Sequence, residues 1–283
     1  MTTLEGRSQV AHGVRRLRDG KWAQDEDVLA AEEPLETRLI WKDGRKTVTK
    51  SIAITMRTPG HDFELAAGFL YGEGIITARD DVADISYCMD DDDDQAFNIV
   101  TVTLRPGLMF DASRLERNFY TTSSCGVCGK AALDALEVQG CNVLPDGPTV
   151  AAATVCGLPA KLRQSQAVFE RTGGLHAAGL FDREGKLLSL QEDVGRHNAV
   201  DKLIGGRFLE DALPLSESIL MLSGRASFEL VQKALVARIP VVAAVGAPSS
   251  LAVQLAESFN ITLCGFVKAD GLNVYSAPQR VIS

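Results

Sequence analysis

The last third of the chain alternates short apolar runs with helical segments, and this alternation restricts the fold more than any other feature of the sequence. The runs are apolar along their whole length, as in strands that are buried on both faces. Such strands alternating with helices predict a largely parallel α/β sheet in the C-terminal part. The strands are predicted at residues 218–224, 240–246 and 261–267, and the helices between them at residues 227–237 and 249–259.

A smaller, β-rich lobe is predicted to precede this sheet. Leu35–Met56 has the pattern of a hairpin with an Asp43-Gly44 turn. A short helix with an apolar face and two further strands follow, and the strands flank the acidic run Asp90–Asp94, which we expect to be a solvated loop. The predicted division is an irregular N-terminal segment (residues 1–30), a β-rich lobe (31–120) and an α/β domain (121–283).

Between the lobe and the alternating region, three helices and a hairpin are expected. Pro159 marks the start of one helix, and Gly173 with Gly174 marks its end. The helices are predicted at residues 129–138, 158–174 and 196–210, and the hairpin at residues 175–193.

The segment TTSSCGVCGK carries Cys125 and Cys128 two residues apart, a spacing used by metal sites, redox dithiols and thiolate carriers. A structural zinc site needs four ligands, and no second pair of cysteines or closely spaced histidines follows. The zinc deaminases have an H-x-E segment ahead of their cysteines, whereas His176 lies after them here. We therefore expect no zinc and no other metal ion on these cysteines.

Three interpretations of the pair remain. Cys-Gly-Val-Cys has the form of a redox dithiol, although such motifs sit near a first βαβ unit. The glycines and small residues around the pair, the helix predicted behind it and Lys130 all favour an accessible thiolate that carries a group. An inert buried pair is the third interpretation, and the glycine and serine flanks speak against it.

Other polar segments suggest a ligand site. Ser223–Ser227 and Gly246–Ser250 each lie where a predicted strand becomes a helix, a place that suits phosphate but also suits ordinary helix capping. The segment EDVGRHNAVDK concentrates Glu192, Asp193, Arg196, His197, Asp201 and Lys202, which form either a site or a salt-bridged surface. Lys268 follows the last apolar strand and is a further candidate cation.

Charge and hydropathy limit the partners. The formal net charge of −8 argues against a general nucleic-acid binder, because phosphate contacts need a broad basic surface. No apolar run reaches the ~18–20 residues that span a bilayer, and the first residues lack the apolar core of a signal peptide. We expect a protein of the cytoplasm that binds neither nucleic acid nor membrane, with its four isolated cysteines reduced.

These segments together resemble one family, the formate dehydrogenase accessory sulfurtransferases of the FdhD/NarQ family. The resemblance covers roughly Leu35 to Arg280. It rests on SSCGVCGK, RTGGLHAAGLFD, EDVGRHNAVDKLIG, LSGRASFELVQKA, VGAPSSLAV and GFVKADGLNVYS, in this order.

The resemblance implies a function. Members of the family accept sulfur from a cysteine desulfurase as a persulfide and pass it to the molybdenum or tungsten bis(molybdopterin guanine dinucleotide) cofactor before its insertion into the formate dehydrogenase catalytic subunit. By position, Cys125 is implied to be the persulfide carrier and Cys128 its partner. Family members often have Lys-Pro-Gly-Arg where this chain has Lys268–Gly271, so the arginine is missing and the lysine is retained. The implied cofactor-binding residues are Phe266, Val267, Lys268, Ala269, Asp270 and Gly271, with GDP as an analogue of the cargo.

The resemblance also implies an architecture. It is a cytidine-deaminase-like α/β sandwich without the zinc, with a mixed, largely parallel sheet in the C-terminal part and a smaller β-rich N-terminal lobe, assembled as a homodimer. The alternative function is a non-catalytic chaperone that binds and docks the cofactor, with the two cysteines merely protective. Substitution of the cysteines distinguishes these functions, because only a carrier requires them.

Overall fold

The computed structural model describes residues 7–88, 97–108 and 141–283. Cys125, Cys128 and the helix expected at residues 129–138 lie outside this part, as does the run Asp90–Asp94. The strands in it are β1 (Gln9–Arg18), β2 (Lys21–Ala30), β3 (Glu33–Asp43), β4 (Lys46–Arg57), β5 (Val82–Tyr87), β6 (Ile99–Leu104), β7 (Val150–Ala151), β8 (His176–Phe181), β9 (Leu187–Asp193), β10 (Ile219–Leu222), β11 (Val241–Ala244), β12 (Thr262–Lys268), β13 (Gly271–Ser276) and β14 (Val281–Ile282). The α-helices are α1 (Asp62–Gly72), α2 (Ala152–Ser165), α3 (Ala167–Thr172), α4 (Arg196–Leu209), α5 (Phe228–Val236) and α6 (Ser250–Ser258).

The C-terminal domain is built on a six-stranded mixed sheet in the order β13-β12-β11-β10-β8-β9. The three central strands, β10, β11 and β12, are parallel, whereas β13, β8 and β9 pair antiparallel. The predicted mixed α/β fold is thus confirmed, with parallel pairing confined to the middle of the sheet. The strands and helices expected between residues 218 and 268 are present within a few residues of their predicted bounds.

Helices cover both faces of this sheet. Successive residues of a strand point to opposite faces, so each central strand contributes side chains to two cores. On one face Leu220 and Leu222 pack in a core with residues of α4, α5 and α6. On the other face Ile219 and Met221 pack in a core with residues of α2. This two-sided burial explains why the strands are apolar throughout.

The N-terminal lobe is a four-stranded sheet, β4-β3-β6-β5, with α1 packed on its apolar face. The predicted hairpin β3–β4 is present, and so are the helix and the two strands that follow it. Among the described strands of this sheet, β3 and β6 pair parallel and the other neighbours pair antiparallel.

The N-terminal segment corrects the prediction. Residues before Ala31 were expected to be irregular, but β1 and β2 form a ten-pair antiparallel hairpin closed by Asp19 and Gly20, which have φ of 50° and 73°. Most side chains on both faces of the hairpin are exposed, so the sequence lacks the apolar alternation that marks a half-buried strand. The Asp-Gly dipeptide is the signal that predicts its turn.

The helix predicted at residues 158–174 is also corrected. It is two helices, α2 and α3, separated at Gln166, and Pro159 lies inside α2 instead of at its start. Val155, Leu158 and Leu162 are buried against the sheet at helical spacing, so tertiary packing extends the helix on the N-terminal side of the proline. The predicted end is confirmed at Gly173, whose φ of 66° is the left-handed value of a helix C-terminus.

Candidate functional site

The loops that follow the three parallel strands meet at the carboxyl edge of the sheet. The amide of Gly246, after β11, donates to the carbonyl oxygen of Gly224, after β10, at 2.9 Å. The amide of Phe266, in β12, donates to the oxygen of Gly246 at 3.1 Å. The helix starts at Ser227 and Ser249 lie at the same edge, which is where open α/β sheets bind ligands.

The predicted cofactor-binding segment, Phe266–Gly271, lies at this edge. Phe266 has a φ of 52° and a side chain that is 47% exposed, and it sits in an irregularity of the β12–β13 pairing between Gly265 and Lys268. A positive φ is costly for a bulky residue and persists only where neighbours impose it. The amide of Phe266 is held by its hydrogen bond to Gly246.

Within the segment, Val267 is buried and the turn residues are exposed. Lys268 Nζ and an oxygen of Asp270 lie 3.3 Å apart, with the two side chains 69% and 77% exposed. Such a surface ion pair contributes only ~0–1 kcal/mol, so the ammonium group of Lys268 is available to an anion. Ala269 and Asp270 form the turn between β12 and β13, and Gly271 pairs with Lys268.

Gly265 is a residue of this edge that the sequence analysis did not single out. A Cβ at this position would come within 2.9 Å of Pro248 and 3.0 Å of the Tyr275 ring. Because Gly265 has no side chain, the loop after β11 can approach β12 closely. An isolated glycine inside an apolar strand is the sequence signal for such an approach.

His176 and Ser223 lie together where β8 meets β10. The Ser223 amide donates to the Ala177 oxygen at 3.0 Å, and the Ala177 amide donates to Ser223 Oγ at 2.8 Å. Burial lowers the pKa of His176 below its usual value, and the neighbouring Arg196 guanidinium acts in the same direction. His176 therefore presents a neutral imidazole at neutral pH.

The start of α4 contributes Arg196 and His197. His197 Nε2 lies 2.6 Å from Glu229 Oε2 and 3.3 Å from Ser227 Oγ. The hydrogen bond from His197 is the main reason that the pKa of Glu229 lies below its usual value. Arg196 Nε is buried and has no hydrogen-bond partner within the part of the chain that the structure describes. A cationic group and an imidazole are therefore brought to a helix start at the carboxyl edge.

The remaining charged residues of EDVGRHNAVDK are structural. Asp193 is fully buried and accepts from Lys202 Nζ at 2.7 Å, from the Gly195 amide at 2.8 Å and from the Thr58 amide at 3.2 Å. Asp201 pairs with Lys233 at 2.7 Å. Glu192 accepts from the first amides of α3 at 2.8 and 3.0 Å. Of the six charged or titratable residues in this segment, Arg196 and His197 lie at the carboxyl edge, and the other four make structural contacts.

Within residues 7–88, 97–108 and 141–283, no three His, Cys, Asp or Glu side chains are grouped as metal ligands would be. In those ranges no helix is both long and apolar enough to cross a membrane.

A family model described as the FdhD/NarQ family matches residues 31–282. The chain belongs to this family. Members named "Sulfur carrier protein FdhD" are similar to it over nearly all of both chains: the one from Streptomyces avermitilis is 50% identical over 280 residues (98% of this chain and 96% of the relative). The one from Mycobacterium tuberculosis is 50% identical over 275 residues (95% and 96%), and the one from Sulfurisphaera tokodaii is 44% identical over 269 residues (95% and 97%).

A solved structure shares the fold. It is the crystal structure of a candidate formate dehydrogenase accessory protein from Desulfotalea psychrophila, with a TM-score of 0.73 and 24% identity, and the match covers 97% of this chain and 99% of that one. At this identity the similarity shows the fold. The mixed α/β architecture is therefore that of a solved protein.

Proposed function

We propose that this FdhD/NarQ family member is a sulfurtransferase that carries sulfur as a persulfide on Cys125 and is required for formate dehydrogenase activity. The observation that carries the proposal is the identity of about one half, over nearly the whole chain, to relatives named sulfur carrier proteins. The Cys125–Cys128 pair in a glycine-rich segment is the chemical group such a carrier needs.

Loading is a thiol–disulfide exchange. The Cys125 thiolate attacks the outer sulfur of a persulfide on a cysteine desulfurase, the donor S–S bond breaks, and the desulfurase cysteine leaves as a thiolate. One S–S bond replaces another, so loading needs no oxidant. The product is a persulfide on Cys125.

Delivery releases the sulfur as hydrosulfide. The Cys128 thiolate attacks the inner sulfur of the Cys125 persulfide, hydrosulfide leaves toward the metal of the cargo, and a Cys125–Cys128 disulfide forms. The two electrons come from the cysteine sulfurs, and a cellular dithiol then reduces the disulfide. The pair is therefore required for turnover, whereas one cysteine suffices for loading.

The cargo in this proposal is the molybdenum or tungsten bis(molybdopterin guanine dinucleotide), held at the carboxyl edge. Helix starts and scattered cations suit its pyrophosphates, although the chain as a whole is acidic. Phe266–Gly271, with Lys268 as its cationic member, is the proposed contact with the guanine nucleotide. The protein acts as a homodimer in the cytoplasm and hands the sulfurated cofactor to the formate dehydrogenase catalytic subunit.

Cys125→Ala tests the carrier against the chaperone. We expect that mass spectrometry of the variant, after incubation with a cysteine desulfurase and cysteine, finds no added sulfur on the peptide 121–130, and that formate dehydrogenase stays inactive. Cys128→Ala still loads sulfur but does not mature the enzyme, and Cys156→Ala serves as the matched control that does both. Active formate dehydrogenase from both Cys125→Ala and Cys128→Ala would favour the chaperone.

Lys268→Glu tests the nucleotide segment. A charge-assisted hydrogen bond contributes ~1.5–3 kcal/mol, so we expect GDP affinity measured by calorimetry to fall roughly ten- to a hundredfold. Sulfur loading of Cys125 does not change, because it requires only the desulfurase and the cysteine segment. Lys186→Glu is the control, because Lys186 is exposed in the turn at the opposite end of β8. Unchanged GDP affinity in Lys268→Glu would move the nucleotide away from this segment.

A further inference from the structure

A cavity of about 500 Å³ lies between the α2–α3 pair and the carboxyl edge of the sheet. This is within the size range of small-molecule sites, roughly 300–1,000 Å³. It is on the opposite face of the sheet from α4, α5 and α6. Its principal lining residues are Leu162, Gln166, Phe169, Leu175, His176 and Ser223.

Gln166 is the polar residue of this cavity whose unpaired side chain indicates that a ligand binds here. It lies at the junction of α2 and α3 and is only 4% exposed. Its side-chain Nε2 is buried and has no hydrogen-bond partner among the residues described. A buried amide donor without a partner is unfavourable in the free protein, and a ligand with an acceptor at this point removes that penalty.

The walls define the shape of the ligand. Leu162 and Leu175 are buried and apolar, and the Arg163 guanidinium lies over the Phe169 ring with its carbon 4.0 Å from the ring centroid. Apolar walls, an aromatic ring and a neutral imidazole at His176 suit an uncharged flat ring, and the Arg163 guanidinium in the lining is already stacked on Phe169. An acceptor on that ring is required opposite Gln166.

The cavity opens onto the carboxyl edge. His176 and Ser223 line it and also belong to the edge, where a Cβ on Gly224 would lie 3.4 Å from His176 Nδ1. Arg196 is close enough to His176 to lower its pKa. A ring held in the cavity can therefore carry an anionic chain toward the cations of the edge.

We propose that this cavity binds a fused heteroaromatic ring with a lactam carbonyl, which accepts a hydrogen bond from Gln166 Nε2. The inference rests on the proposed function, because guanine and the pterin of the cargo both contain a 2-amino-4-oxopyrimidine ring of this kind. It adds a second point of attachment, on the α2–α3 face, to the segment Phe266–Gly271. The lactam carbonyl is the shared chemistry, and the ligands used below separate its two sources.

Gln166→Leu tests the cavity by titration with GDP and, separately, with 6-carboxypterin. We expect the affinity for one of these ligands to fall about tenfold, because a single hydrogen bond to the ring is lost. The midpoint of thermal unfolding of the free variant stays the same or rises, since the unpaired amide has been removed. Gln164→Leu, at an exposed position in the last turn of α2, is the matched control and leaves the affinity unchanged.

A second variant covers the case in which Gln166→Leu does not fold. Val245 lines the cavity and is 43% exposed, so Val245→Trp is tolerated at the surface while it fills the mouth. We expect Val245→Trp to lower the affinity for the same ligand without lowering the midpoint of thermal unfolding. The ligand that responds to both variants identifies the source of the ring.

Failure of the cavity and failure of the proposed function give different results. If neither ligand binds the unsubstituted protein, or if both bind Gln166→Leu and Val245→Trp as tightly as the unsubstituted protein, the cavity is not the ring site. Sulfur loading of Cys125 in the same samples tests the function independently. Absence of loading together with a ring affinity that depends on Gln166 would overturn the sulfur carrier and leave the ring site.

Discussion

At the residue scale, Asp193 shows why charged motifs are difficult to interpret from sequence. Its carboxylate is fully buried, and it ties Thr58 of the N-terminal lobe to Gly195 and Lys202 of the C-terminal domain. Arg196 and His197 lie a few residues away at the carboxyl edge of the sheet. The sequence places these residues together but does not show which of them are buried, because burial depends on segments more than a hundred residues away.

The Asp193–Lys202 pair gives a stability prediction. Lys202→Met removes the cation and leaves a buried carboxylate, so we expect a loss of about 3–5 kcal/mol in the free energy of unfolding, measured in urea. Asp193→Asn/Lys202→Met should lose less than the sum of the two single changes, because the variant with both changes has no unpaired charge. Arg207→Gln breaks the partly exposed pair with Glu210 and should change stability by no more than about 1 kcal/mol. Additive losses would show that Asp193 and Lys202 do not act as a pair.

At the scale of elements, the helices and strands that bury apolar side chains could be predicted from the sequence, and the exposed ones could not. The strands and helices between residues 218 and 268 were predicted because two-sided burial makes the strands apolar, and because Ser227 and Ser249 stand at the helix starts. The hairpin β1–β2 was missed because few of its side chains are buried. The cavity residue Gln166 had no sequence signal at all, since its role arises from the break between α2 and α3.

The crossing of α1 and α4 gives a prediction that separates two neighbouring glycines. A Cβ on Gly205 would overlap the carbonyl oxygen of Glu64 and lie 2.6 Å from the Gly68 amide, whereas on Gly206 it would meet only the Glu64 side chain at 3.8 Å. Backbone cannot yield as a side chain can, so Gly205→Ala should cost about 3 kcal/mol or more. Gly206→Ala should stabilise by about 0.5–1 kcal/mol through helix propensity. Equal effects in urea denaturation would mean that the two helices do not cross as closely as this.

At the scale of the whole molecule, the sequence indicated the two parts but not how they are joined. A four-stranded sheet lies before residue 108 and a six-stranded sheet lies after residue 141. The expected boundary at residue 121 falls outside the residues described, so the division into a lobe and a domain stays a prediction. The helix crossing at Gly68 and Gly205 and the buried Asp193 hold them together. Both depend on contacts between distant segments, which local patterns do not contain.

The helix crossing and the buried Asp193 connect the N-terminal lobe to the C-terminal domain, so we predict that the two parts unfold as one unit. The chain has two tryptophans: Trp41, 8% exposed in the N-terminal lobe, and Trp22, 60% exposed in the β1–β2 hairpin. In a Trp22→Phe background, Trp41 fluorescence reports the lobe, and circular dichroism at 222 nm (the helical band) reports mainly the C-terminal helices. We expect the two urea transitions to coincide and Lys202→Met to move both by the same amount, because the broken pair stabilises the joint itself. A lower midpoint for Trp41 than for the dichroism, in either protein, would show instead that the lobe unfolds on its own and that Asp193 serves only the domain that contains it.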